Sequence, residues 1–177
     1  MDTRKVAHMG LMIALALVLS YVEAQIPTFV AIPGIKVGLA NIVVVFALYN
    51  FGVKEAFVVS LFRVLLASLM FGSVMSLAYS AAGAFLSLLG MVLLKRMRFF
   101  GCVAVSVVGG VLHNLGQILM ACLVLETNVV IYYLPFLILS GTIAGVVVGL
   151  VAALVLKRLG TSETPSNADK KEEIKHE

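Results

Sequence analysis

A chain of 177 residues with 62% hydrophobic and only 12% charged side chains, at a mean hydropathy of +1.11, carries too little polar surface for a water-soluble domain. Its formal charge of +4 is not a nucleic-acid signal, because the lysines and arginines sit mostly at the ends of apolar runs, and no length is left for a second folded domain. The composition predicts an integral, all-α membrane protein.

A short charged leader, residues 1–5, precedes an apolar run that reaches Val22. The run is long for the apolar part of a cleaved signal peptide and leads into further apolar segments, so it reads as a first membrane helix over residues 6–24. Gly10 with Ala14, and Ala16 with Ser20 and Ala24, stand at the spacing that lets a second membrane helix approach closely. The next stretch, EAQIPTFVAIPGIK over residues 23–36, holds two prolines and a glycine and cannot continue the helix. It is apolar nonetheless, which predicts a loop on the membrane surface or capping a cavity, anchored by Phe29 and Ile32.

A second helix is expected over residues 35–51, with Asn41 just over a turn from Lys36, and a third over residues 55–71 with Arg63 at its middle. An arginine at mid-depth costs about 2.5 to 3.5 kcal/mol on insertion scales, so it needs carbonyls, a carboxylate such as Glu23, water or an anion as partner. A fourth helix, over residues 73–94, carries Ser76, Tyr79, Ser80 and Ser87; of these Ser87 reads as bonding its own preceding carbonyl. The basic loop KRMRFFG follows it.

The fifth helix, over residues 101–125, contains VGGVLHNLGQ. There His113, Asn114 and Gln117 fall within about 100° of one another around the axis, on the face that Gly109, Gly110 and Gly116 share. Amides on that face cannot look at lipid, so it looks at other helices or at a watered cavity. For Asn114 interhelical hydrogen bonding and ligand binding are both open, whereas His113 and Gln117 point to a site. A sixth helix, over residues 134–156, has Pro135 in its first turn and Gly141, Gly145 and Gly149 at four-residue spacing, a packing stripe. Residues 159–177 are polar and charged and are expected to form a disordered tail behind one transmembrane domain of residues 1–158.

Six crossings put both termini on one side. If that side is cytoplasmic, the inner segments hold Arg4, Lys5, Lys54, Lys95, Arg96, Arg98, Lys157 and Arg158, against Lys36 outside, and the excess of inner basic residues fixes the orientation. The chain is then a multi-pass protein of the cell membrane. Lys36, Asn41, Tyr79, His113, Asn114 and Gln117 fall in the outer half with Arg63 as a floor, and they are read as a pocket for an anionic or amphipathic small molecule.

Enzyme readings find no support. The two aspartates, Asp2 and Asp169, lie in the polar ends, so no Asp-rich magnesium motif for diphosphate chemistry exists, and there is no Gly-Lys dipeptide for a P-loop. No cysteine and histidine fall at metal-ligand spacing, and no cofactor is implied.

PGIKVGLAN (33–41), SLFRVLLASLMFGS (60–73), YSAAGAFLSLLGM (79–91), GGVLHNLGQ (109–117) and YYLPFLILSGTIAGVVVG (132–149) together resemble the Gx transporter family, often labelled heptaprenyl diphosphate synthase component I. That family is in turn similar to the S components of energy-coupling factor (ECF) transporters. The resemblance implies a six-helix bundle with an outward pocket roofed by the loop between the first two helices. It also implies docking through small residues of the first helix onto a transmembrane T subunit that works with two ATPases. S components often show AxxxA there, where this chain has Gly10 with Ala14 and Ala16 with Ser20. A quinone or isoprenoid precursor, or a flavin-related compound, is the substrate class the resemblance suggests. The label suggests a second role, as a non-catalytic membrane accessory to heptaprenyl diphosphate synthase in menaquinone side-chain synthesis. A third possibility is a scaffold for a membrane electron-transfer complex, its polar face only joining helices.

Overall fold

The computed structural model describes residues 3–25, 38–97, 99–127 and 129–160. They form six α-helices: α1 Thr3–Gln25, α2 Asn41–Asn50, α3 Val53–Phe71, α4 Val74–Arg96, α5 Cys102–Leu125 and α6 Leu134–Arg158. A short 3₁₀ turn, Val129–Tyr133, precedes α6, and no strand occurs among the described residues. The apolar loop expected after the first helix, with Phe29, Ile32 and Lys36, and the polar tail from residue 161 lie outside the described residues.

Helix ends follow local chemistry. The Ser73 hydroxyl accepts the Ser76 N–H at 3.2 Å and caps α4, whose last turn carries Lys95 and Arg96 against the helix dipole. Between α2 and α3 the chain reverses in two residues: Phe51 and Gly52 both donate to the Ala47 carbonyl, and Gly52 takes φ 117, which a side chain would resist. The second helix starts later than the sequence suggested, at Asn41 rather than near residue 35. Gly38 has φ 93, incompatible with helix, and its carbonyl accepts the Asn41 N–H at 2.9 Å in a turn.

With 23 to 25 residues each, α1, α4, α5 and α6 are about 35 Å long, enough to cross a hydrocarbon core of about 30 Å. These four helices are long and apolar enough to span, which makes the chain a multi-pass membrane protein. Helix α3 has comparable reach in its 19 residues but carries Lys54, Glu55 and Arg63, and α2 covers only about 15 Å.

Two modes of packing divide the bundle. Helices α4, α5 and α6 meet backbone to backbone: a Cβ on Gly110 would lie 2.4 Å from the Gly141 carbonyl oxygen, one on Gly145 2.6 Å from the Val107 Cα, and one on Gly149 2.7 Å from the Val103 Cα. On the other face of α5, a Cβ on Gly116 would meet the Ala82 carbonyl at 2.7 Å. Helices α1, α2 and α3 pack through side chains, around Val43, Val44, Val45, Ala47 and Leu48 of α2, each 2% exposed or less, in a core that Met91 of α4, Val105 of α5 and Leu156 of α6 also join. Two polar staples close the end where α1 and α3 begin and α2 and α4 finish. Lys5 pairs with Glu55, and the Lys95 ammonium donates to the Leu48 carbonyl while lying 4.9 Å from the Tyr49 ring centre.

The small residues of α1 split between these surroundings. Ala16 and Ser20 are buried against α2 and α3, whereas Ala14 is exposed and nothing lies within 4 Å of a Cβ built on Gly10.

Candidate functional site

Between the apolar core around α2 and a smaller cluster of Tyr79, Ile118, Ala121, Val130 and Leu137 at the opposite end lies a layer of buried polar side chains. The i, i+3 pair Ser20 and Glu23 brings α1 into it, the face of Val64, Ala67 and Ser68 brings α3 with Arg63, Ser80 comes from α4 and His113 from α5. With Gly38 these residues line a small cavity of about 20 Å³, room for about one water molecule.

Arg63 is 5% exposed, and its Nε has no hydrogen-bond acceptor among the described residues. Glu23, also 5% exposed, supplies the opposing charge, but its Oε1 is taken by the Gly38 N–H, the first described residue after the interhelical loop. A guanidinium offers five donors in a fixed fork, so one carboxylate already engaged elsewhere cannot satisfy it. The arrangement can accept an anion or a water at Arg63, with the His113 imidazole and the Ser68 and Ser80 hydroxyls on the same cavity wall.

The structure gathers some of the residues singled out in the sequence and turns others away. Arg63 and His113 meet at the cavity. Asn41 comes near His113 at Gly38, where a Cβ would lie 3.0 Å from the Asn41 Nδ2 and 3.6 Å from the His113 Cδ2, but it does not line the cavity. Asn41 also borders a second void of about 10 Å³ that reaches Ser106, Gly109 and Gly110.

Asn114 faces α6 instead. Its Nδ2 donates to the Leu137 carbonyl at 2.7 Å and to the Ser140 Oγ at 3.4 Å, the interhelical role left open for it. Tyr79 packs in the apolar cluster with Ile118 and Leu137, away from the cavity. Gln117 is fully buried beside Gly83, where a Cβ would stand 3.0 Å from its Cγ. Neither amide atom of Gln117 has a hydrogen-bond partner among the described residues, and it does not line the cavity. The 100° that separates Asn114 from His113 around the helix is enough to send the two to different neighbours.

Ser20 and Ser68 join the cavity without having been singled out for a site. The stripe Ser60, Val64, Ala67, Ser68 beside Arg63 carried the signal: small and polar residues at i, i+4, i+7 and i+8 mark one face of a membrane helix. At these polar residues the described part of the chain leaves no ligand-sized opening of the kind the polar inventory led one to expect. Small-molecule sites run to several hundred Å³, more than ten times this cavity, because α1 and α3 close on each other around Arg63.

The sequence matches a family model described as heptaprenyl diphosphate synthase component I over residues 12–155, from within α1 to near the end of α6. No curated protein and no solved structure matches it. The family's designation is that of a non-catalytic subunit, consistent with a chain that is not itself an enzyme. From the matched span, the chain belongs to the heptaprenyl diphosphate synthase component I family.

Proposed function

We propose that this chain is a substrate-binding membrane subunit of an importer of the ECF S-component type, which captures an anionic small molecule at Arg63. The observation that carries the reading is the buried guanidinium whose Nε lacks an acceptor among the described residues, on the wall of a cavity shared with His113 and Glu23. A cation kept at that depth at a cost of about 2.5 to 3.5 kcal/mol is most simply explained by a ligand that repays it. Binding then requires α1 and α3 to part, since the cavity holds about one water in the closed form.

The fold is read as six crossings with both termini cytoplasmic, because Lys5, Lys54, Lys95, Arg96, Lys157 and Arg158 all belong to the same ends of the helices. The site is then reached from outside. The open strip on α1 at Gly10 and Ala14, flanked by exposed Leu11, Leu15 and Val18, is the face offered to a transmembrane T subunit and its ATPases. Quinone or isoprenoid precursors and flavin-related compounds are the ligands to try first.

Native mass spectrometry of the detergent-purified protein tests this: a copurifying small anion is expected, and Arg63→Ala is expected to lose it. An unchanged ligand in Arg63→Ala ends the reading. The family description favours a second role, an accessory to prenyl diphosphate synthesis. Copurification of a soluble synthase, with activity that falls when this chain is removed, selects that role instead.

A further inference from the structure

A second concavity, of about 720 Å³, lies between α3 and α4. The two helices are joined by Gly72 and Ser73 and approach at that turn, where a Cβ on Gly72 would lie 3.0 to 3.1 Å from Ser68 and Ser76. The residues lining the concavity occupy the other halves of the helices, residues 53–64 of α3 and 81–92 of α4. It is therefore a groove with a blind end at Val64 and Ala81 and a mouth at Lys54 and Val92. Its walls are apolar apart from Lys54 and Ser60, and Phe57, Leu61, Phe85 and Leu89 along it are exposed.

Eleven residue steps at 1.5 Å make the groove about 16 Å long, close to half of a hydrocarbon core of about 30 Å. It thus runs from a helix end to mid-depth, the thickness of one leaflet. The mouth is positive. Lys54 stands there, Arg96 ends α4 at the same side, and the adjacent carboxylate, Glu55, is paired with Lys5.

We propose that this groove is a binding site for an anionic phospholipid of the leaflet at the basic ends of the helices, its phosphate on Lys54 and its acyl chains reaching Val64. The proposal is independent of the ligand reading above, but the two sites touch. Val64 lines both the groove and the Arg63 cavity, so a chain end seated there braces the helix that carries the arginine.

The test uses the full-length protein, delipidated and exposed to equal amounts of phosphatidylglycerol and phosphatidylcholine, with bound lipid read by native mass spectrometry. Phosphatidylglycerol is expected to be retained about fivefold over phosphatidylcholine, the selectivity one interfacial lysine supplies. Lys54→Gln, at an exposed position, is expected to remove the preference, and Ala84→Phe, on the groove wall, to reduce retention of both lipids. Leu119→Phe, on an exposed site elsewhere, is the control and keeps wild-type retention. Equal retention of the two lipids by the wild type, or an unchanged preference in Lys54→Gln, overturns the proposal. So does full displacement of phosphatidylglycerol by equimolar farnesyl diphosphate, which would make the groove a prenyl site.

Discussion

The two halves of the bundle solve the same problem in opposite ways. On the α4, α5 and α6 side, glycines bring backbones together: the Gly110 and Gly141 backbones leave no room for a methyl group. On the α1, α2 and α3 side the helices pack through side chains, a polar cavity that Ser80 and His113 also line lies beside α1 and α3, and the Lys5–Glu55 ion pair and the Lys95 bond to the Leu48 carbonyl hold one end. The first kind of contact is rigid because backbone cannot yield. The second depends on side chains and polar contacts, and Arg63, Glu23 and His113 sit at the end away from the staples.

This contrast is broken most severely at its rigid side. Gly110→Leu is expected to cost more than about 3 kcal/mol, because the 2.4 Å contact is with backbone oxygen, and to abolish a monodisperse peak in size-exclusion chromatography. Survival of that variant at wild-type melting temperature would show that α5 and α6 are not locked. On the side-chain-packed side, Arg63→Ala is expected to lower ligand affinity by about 100-fold while leaving the melting temperature unchanged or raised, since it removes an incompletely partnered buried charge. A fall in melting temperature with ligand affinity intact would make Arg63 a structural brace.

Asn114→Ala sharpens the division between His113 and its neighbour. Losing the bond to the Leu137 carbonyl is expected to cost about 1 kcal/mol in thermal unfolding, with ligand retention unaffected. The smallest effect is expected at Gly10→Leu, where a Cβ meets nothing within 4 Å: stability stays at the wild-type value, and only copurification of a T subunit falls. A destabilised Gly10→Leu would mean that this face is packed within the chain itself.

Much of the architecture was legible in the sequence because long apolar runs and small-residue spacings are local signals. Gly141, Gly145 and Gly149 lie along one side of α6 by helical geometry alone, and that side meets the α5 backbone. The site was less legible. Arg63 and His113 announced themselves by cost, yet Asn114 and Tyr79 carry the same polar character and face other partners. Ser20, taken for a packing residue, and Ser68 enter the cavity through the way α1 leans on α3.

By itself the sequence determined that this chain lives in a membrane, roughly where its long helices fall, and that a few expensive side chains need partners, because hydrocarbon penalises each unpaired polar group wherever it sits. Only the tertiary structure decided which of those groups meet, since neighbours from different helices depend on how the helices rotate and lean against one another. The same leaning closed the polar cavity to about one water and left the apolar groove on the far side of α3.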